Sequence, residues 1–399
     1  MIVSSSGKTE FNNPLMERIS GEFFMRNRMK PVIAHSANPY LPATATWIYD
    51  QIRALKRYRP IVLTQTRQNL DRFPLKPVLS TEDISPIRRT TLRLTRKMRG
   101  TYAGYENWLR EHNAVLLHAH FGQEGYRCLS AKQRTDIPLI TTFYGLDVSA
   151  LPRQKKWQKR YKRLFAEGDL FLVEGPFMGE QLIALGCAAN RVIVQHLGVD
   201  LKKIPFRTDH TPKQPIVLTY AVFREKKGLK YAIQAFAKIA EKYPDAQLRM
   251  IGDGPLRPHL QAEIRNLHLE NRVKMLGLLP HPLALEELKR ATILLYPSVT
   301  ASDGDTEGGA PVALIEAMAM GVPIVSSQHA DIPEVVIDKT CGLLFPERDI
   351  AGLAEGLDTL LNSPEQFGCA GRAHVEKQHN LEKQAEKLEV IYDRVIENK

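Results

Sequence analysis

Along this chain two hydrophobic periods alternate. Short apolar runs rich in Val, Ile and Leu end in glycine, proline or polar residues, and each gives way to a segment whose apolar positions recur at helical spacing. In the first half the runs are KPVIAHSANPY from Lys30, PIVLTQT (Pro60 to Thr66), AVLLHAHFG (Ala114 to Gly122), PLITTFYGLD (Pro138 to Asp147), DLFLVEG (Asp169 to Gly175) and RVIVQHLGVD (Arg191 to Asp200). Strands that are apolar throughout, rather than alternating, are expected in parallel sheets covered on both faces. Residues 67–85 read as irregular. After the polar, Pro-containing stretch LKKIPFRTDHTPKQP (Leu201 to Pro215) the alternation restarts with IVLTYAV, QLRMIG, RVKMLG, TILLYP and PIVSS, separated by helical segments. The pattern predicts an α/β protein of two facing Rossmann-like, doubly wound domains, over residues 1–203 and 204–380. A last helix, Leu381 to Asn398, is expected to pack back on the first domain.

Composition narrows the class. The chain has 399 residues, 43% of them hydrophobic, which is enough for two cores. Its four cysteines, Cys128, Cys187, Cys341 and Cys369, lie far apart, which argues against a zinc ribbon, a redox pair or a disulfide scaffold. The first twenty residues are polar and no apolar run is long enough to span a bilayer, so a cytoplasmic protein is expected, with any membrane contact peripheral. The net charge of +11 is uneven: residues 1–200 carry 30 Lys and Arg against 17 Asp and Glu. Two basic stretches stand out, residues 87–99 (IRRTTLRLTRKMR) and 153–163 (RQKKWQKRYKR). Each reads either as a solvated face or as a contact with an anionic membrane. No nucleic-acid module surrounds them.

The candidate chemistry concentrates in SDGDTEGGAPVALIEAMAMGVP (Ser302 to Pro323). It places Glu307 in a glycine-rich loop and Glu316 on a helix opened by Pro311. A helix N-terminus suits a phosphate, and glutamates beside it accept hydrogen bonds from hydroxyls, so a ligand with both phosphate and sugar fits. Arg224, Lys226 and Lys227 precede Gly228 at a strand-to-helix turn, where lysine can neutralise a diphosphate. His118, His120, Tyr144 and Asp147 sit at strand ends, where ligands gather in open α/β sheets. The H-x-H pair lacks a third metal ligand at a recognisable spacing. Gly252-Asp253-Gly254-Pro255 starts like a dinucleotide fingerprint, but Arg257 holds the third glycine position. Asp303, Asp305 and Glu307 start like a calcium loop, but Leu314 stands where a bidentate glutamate is required. The pair Asp303 and Asp305 reads either as a D-x-D metal clamp or as support for a turn.

The order KKG-L (Lys226 to Leu229), GDGP-L (Gly252 to Leu256), LYPS (Leu295 to Ser298), EGGAP-VALIEAMAMGVPIV (Glu307 to Val325), ADIPEVV (Ala330 to Val336) and GLLFP (Gly342 to Pro346) resembles the retaining nucleotide-sugar glycosyltransferases of the group 1 family. HAHFG, TFYGLD and HLGVD resemble its exopolysaccharide and lipopolysaccharide members. The resemblance implies the GT-B fold and a UDP- or GDP-linked sugar as donor substrate, with no cofactor or metal. The acceptor would be a saccharide or polyprenyl-linked saccharide. It further implies catalytic roles for His120, Asp147, Lys227 and Glu307. The donor would be held by Arg224, Lys227, Gly254, Gly308, Gly309, Ala310, Val312, Ala313 and Glu316, with Glu316 on the ribose and Glu307 on the sugar hydroxyls. Asn38, Thr44, His118 and Tyr144 would face the acceptor. Three departures accompany it. Val222 stands where the family has an arginine, eight residues rather than seven separate the two glutamates, and Tyr144 replaces a histidine. These keep open a silent nucleotide-sugar-binding protein, and the shared two-domain build keeps open a phosphorylase or epimerase.

Overall fold

The computed structural model describes residues 30–42, 45–207, 214–309, 311–363 and 365–399. The first domain runs β1 (Val32–Ser36), α1 (Thr46–Arg53), β2 (Arg59–Thr64), β3 (Val78–Ser80), α2 (Pro86–Arg99), α3 (Tyr105–Glu111), β4 (Ala114–His120), α4 (Gly122–Thr135), β5 (Leu139–Thr142), α5 (Lys155–Glu167), β6 (Leu170–Val173), α6 (Pro176–Ala184) and β7 (Val192–Val194). The second runs β8 (Ile216–Tyr220), α7 (Leu229–Ala240), β9 (Gln247–Ile251), α8 (Arg257–Asn266), β10 (Val273–Gly277), α9 (His281–Arg290), β11 (Ile293–Tyr296), α10 (Val312–Met320), β12 (Ile324–Ser327), α11 (Ile332–Val335) and β13 (Gly342–Phe345). Helices α12 (Ile350–Asn362), α13 (Glu365–Gln378) and α14 (Leu381–Glu397) complete the chain.

All described strand pairs are parallel. The sheet orders are β3-β2-β1-β4-β5-β6-β7 and β10-β9-β8-β11-β12-β13. Chain order reverses between β1 and β4 in one sheet and between β8 and β11 in the other, and such switch points open a crevice at the strands' carboxyl ends. Strands β1, β5, β6, β11 and β12 are buried at every position, as parallel strands covered on both faces are. Some elements were not predicted, among them the helices Tyr105–Glu111 and Ile350–Asn362. Within the stretch read as irregular, Val78–Ser80 forms β3 at the sheet edge, too short after Pro77 to show a period.

Helix α14 crosses back and lies on the first sheet. Leu388, Ile391 and Tyr392 join Ile33, Leu116 and Leu172 in one core, and Arg57 pairs with Glu389 and Asp393 at 3.2 and 2.7 Å. The Tyr392 hydroxyl lies 2.6 Å from His118 Nδ1, inside that core. Tyr392→Phe leaves this buried ring nitrogen unpartnered, at a cost of about 1–3 kcal/mol. Urea unfolding monitored by circular dichroism should show a loss of that size, and an unchanged midpoint would refute the buried bond.

Candidate functional site

The site is built on turns at the carboxyl ends of the strands. After β8 the chain reverses at Gly228, whose φ is +61° and where an added Cβ would lie 1.8 Å from the Pro297 carbonyl oxygen. Only glycine fits there, and the tight turn delivers Lys226 and Lys227 into the space between the domains. Lys227 Nζ donates to the Tyr296 hydroxyl at 2.8 Å and to both oxygens of Glu307 at 2.7 and 2.8 Å. Ser298 Oγ donates to Glu307 Oε1 at 2.8 Å, and the Glu307 amide reaches His329 Nε2 at 3.0 Å. Burial disfavours the charge on Glu307, but Lys227 and then Lys226 outweigh it and hold the carboxyl below its usual range. The loop is thus a preformed cation–carboxylate pair, with the lysine available to a stronger anion.

Helix α10 starts behind that loop. Pro311 is its N-cap residue and no side chain caps it, so the amides of Val312 and Ala313 open into the cavity with the positive end of the helix dipole. One turn on, Glu316 Oε1 lies 2.6 Å from His281 Nε2 of α9. Burial opposes a charged His281, yet the bond to Glu316 prevails and raises its pKa above 6.5. From the first domain, Thr46, Trp47, Arg72, Tyr144 and Glu174 form the facing wall of a cavity of about 400 Å³. At its edge the domains touch backbone to backbone: a Cβ on Gly308 would lie 2.2 Å from Gly145 Cα. Two glycines permit that approach.

The structure brings together most of the predicted donor residues. Lys227, Glu307, Gly308, Gly309, Val312, Ala313 and Glu316 all line the cavity, with Tyr144 opposite. Ala310 and Thr44 lie outside the described residues. Arg224 is exposed and absent from the lining, and Val222 occupies the wall instead. Gly252 lines the cavity in place of Gly254, whose amide bonds the Asp253 carboxylate at 2.7 Å. The pair Asp303 and Asp305 supports a turn: Asp303 Oδ1 accepts the Asp305 amide at 2.9 Å, and Asp305 accepts Lys226 Nζ at 3.1 Å.

The residues placed on the acceptor side need correction. His118 and His120 alternate with Ala119 and therefore share the face of β4 that α14 covers. His118 is fixed between Tyr392 and Thr142 Oγ1, at 2.6 and 2.7 Å. His120 lies behind Tyr144, its Nδ1 2.6 Å from the Tyr144 hydroxyl. Asp147 is fully buried and accepts the amides of Gly122, Tyr144 and Gly145 at 2.8, 3.0 and 2.9 Å, bracing the strand-end loop rather than facing the cleft. Asn38 does the same for another loop, accepting the Gln65 amide at 3.1 Å. His35 adds a third imidazole to the pair, with ligand-type nitrogens within 4.8 Å. Hydroxyls already occupy both nitrogens of His118, and burial pushes the three rings toward neutrality, His120 down to about 3. The cluster is a neutral hydrogen-bond network. Sequence reasoning missed Glu174, Arg72 and His281, which carry no motif and reach the cavity only through tertiary structure, and gave no role to Tyr296 within LYPS.

Two doubly wound domains closing on a lysine, paired glutamates and an open helix N-terminus define a GT-B glycosyltransferase. Residues 200–388 match the family Glycosyl transferases group 1 and residues 44–203 match Glycosyltransferase Family 4. The amylovoran biosynthesis glycosyltransferase AmsK of Erwinia amylovora is 35% identical over 294 residues, 71% of this chain and 70% of AmsK. WcaL of Escherichia coli, a glycosyltransferase named for colanic acid biosynthesis, is 34% identical over 271 residues, 67% of this chain and 66% of WcaL. The chain belongs to the group 1 glycosyltransferase family. Among solved structures, sucrose-phosphate synthase of Thermosynechococcus elongatus shares the fold at a TM-score of 0.74 and 19% identity, covering 93% of this chain and all of that one. Anabaena HepE in complex with UDP shares it at 0.74 and 17%, covering 92% of this chain and all of HepE.

Proposed function

We propose that this glycosyltransferase moves a hexose-type sugar from a UDP- or GDP-linked donor to a saccharide or polyprenyl-linked saccharide, with retained configuration, in the assembly of a cell-surface polysaccharide. One observation carries the reading: a half-buried lysine, two buried glutamates and an uncapped helix N-terminus converge on one interdomain cavity. Lys227 exchanges Glu307 for the donor diphosphate, the Val312 and Ala313 amides take its oxygens, and Glu316 accepts the ribose hydroxyls. Glu307, released from Lys227, accepts hydroxyls of the sugar. The acceptor hydroxyl attacks the anomeric carbon from the face that the diphosphate leaves, and its proton passes to a phosphate oxygen. The new glycosidic bond forms as the sugar–phosphate bond breaks. Charge on the departing diphosphate is met by Lys227 and the helix dipole, so the scheme uses no metal. Tyr144, Trp47 and Arg72 form the acceptor wall. AmsK and WcaL support the polysaccharide assignment through their names alone.

The test is incubation with sugar nucleotides and short lipid-linked saccharides, with products examined by NMR. An α-linked product from an α-linked donor is expected, with activity surviving chelation by EDTA. Donor binding without transfer to any acceptor would favour the silent-binder reading.

The same reading includes peripheral contact with an anionic membrane. Helix α2 buries none of its residues, and Ile87, Leu94 and Met98 along one of its faces are 85, 56 and 86% exposed. Arg93, Lys97 and Arg99 are exposed on the same helix. A basic helix with an uncovered apolar stripe suits a headgroup interface. The stretch 153–163 contributes charge alone, because Trp157 and Tyr161 are buried in the core. Charge reversal at Arg93, Arg96 and Lys97 should release the protein from liposomes containing phosphatidylglycerol. If the wild type does not sediment with such liposomes, the contact is refuted.

A further inference from the structure

Glu174 follows β6 in the first domain, yet its side chain belongs to the second domain's loop. It is buried, lines the cavity, and its Oε2 accepts the Gly309 amide at 3.0 Å across the domain boundary. The fit is close: a Cβ on Gly309 would lie 2.2 Å from both Cβ and Oε2 of Glu174. Gly309 is two residues from Glu307, so this bond fixes the loop that carries the sugar-binding glutamate. A carboxylate here would oppose a diphosphate, and among the described residues no cation pairs with Glu174. Burial, against the pull of the Gly309 amide and together with Asp147, Asp331 and Glu307, pushes its pKa well above the usual range. The shift favours the protonated form, in which the side chain accepts the Gly309 amide without adding charge to the cavity.

A second carboxyl crosses the boundary in the opposite direction. Asp331 of the second domain accepts the Phe177 and Met178 amides at 2.8 and 3.1 Å, at the N-terminus of α6. Among the described residues its carboxylate accepts from these two amides and from no amide of the loop at Glu307. Its charge acts on Glu174 through space, but it makes no bond to the donor loop, so it serves as a control for the Gly309 bond itself.

We propose that Glu174 is a positioning residue for transfer: by holding the Gly309 amide from the opposite domain, it sets Glu307 and the Gly308–Gly309 backbone against the donor sugar when the cleft is closed. The inference rests on the donor-site reading above. The nucleotide end of the site, Lys227 and Glu316, lies wholly within the second domain and does not depend on Glu174. Glu174 thus acts on the sugar step and not on nucleotide capture. A misplacement of about 1 Å at such a site costs about 100-fold in rate.

The experiment compares wild type, Glu174→Ala, Glu174→Gln and Asp331→Asn, using calorimetry with UDP and GDP and steady-state transfer kinetics with the sugar nucleotide that the wild type uses. Expected for Glu174→Ala is a fall in kcat of about 10- to 100-fold with nucleotide Kd within about threefold of wild type. Glu174→Gln, which keeps a neutral acceptor oxygen, should recover most of that loss, and Asp331→Asn should keep wild-type kcat. The proposal is overturned if Glu174→Ala turns over normally, if Glu174→Gln is as impaired as Glu174→Ala, or if Asp331→Asn loses as much. Absence of nucleotide binding by the wild type would sink the donor site itself, a different result from normal binding with an unaffected Glu174→Ala.

Discussion

Lys227→Ala is expected to lower transfer by about 100- to 1,000-fold, the cost of removing one group that stabilises developing charge in a preorganised site. The neighbouring cations are placed differently. Lys226 is engaged with Asp305 and the Thr306 carbonyl at 3.1 and 2.9 Å, Arg224 is exposed and outside the lining, and Arg72 lines the cavity from the first domain. The alanine variant also strands Glu307, which is 5% exposed, and an unpaired buried carboxylate destabilises the fold by about 3–5 kcal/mol. Lost activity could then reflect lost structure, so the double variant Lys227→Ala, Glu307→Gln separates the two. Removing both charges should restore thermal stability toward wild type, while transfer stays below that of Glu307→Gln alone, which keeps Lys227. Recovery of transfer along with stability would show that Lys227 supports the fold and not the chemistry.

The second large effect is expected at Glu316. On the proposed function, Glu316→Ala removes the acceptor for two ribose hydroxyls, and charged hydrogen bonds of this kind contribute about 1.5–3 kcal/mol each. Nucleotide affinity should fall by at least about 100-fold, as read by calorimetry. The variant should also change how stability depends on pH. In the folded protein the pKa of His281 is raised by its bond to Glu316, against the opposing effect of burial. A raised pKa in the folded state stabilises the protein fully below the unfolded value of 6.5, and that contribution disappears as pH rises through the folded value. Wild type should accordingly gain in melting temperature, relative to Glu316→Ala, as pH is lowered from 8.5 to 5.5. A constant difference across that range would show that the pair is not linked to protonation of His281.

The second-domain lining of the cavity was legible in the sequence because its residues are placed by local geometry. Gly228, Pro311 and the two glutamates set a turn, a helix start and their spacing within short segments, and local geometry then delivered them to one cavity. Glu307 lines the cavity together with Glu316 although eight residues separate them. The acceptor side was not legible for the opposite reason. In AVLLHAH every position is apolar or small apart from the histidines, so the run does not reveal which face looks at the cleft. That is settled by α14, more than 260 residues later in sequence, whose Tyr392 claims His118. Asp147 looked available because it ends a strand, but three backbone amides needed an acceptor there. Glu174 had no motif at all, and its partner Gly309 is supplied by the other domain.

These placements make one claim central: the interdomain cavity is a nucleotide-sugar site held from the second domain by Lys227 and Glu316. Calorimetric titration of the purified protein with UDP, GDP and ADP, repeated on Glu316→Ala, tests it most directly. The account predicts one-to-one binding of UDP or GDP by the wild type and at least about 100-fold weaker binding by the variant. Equal affinity in the two proteins, or no binding of any of the three by the wild type, would contradict it.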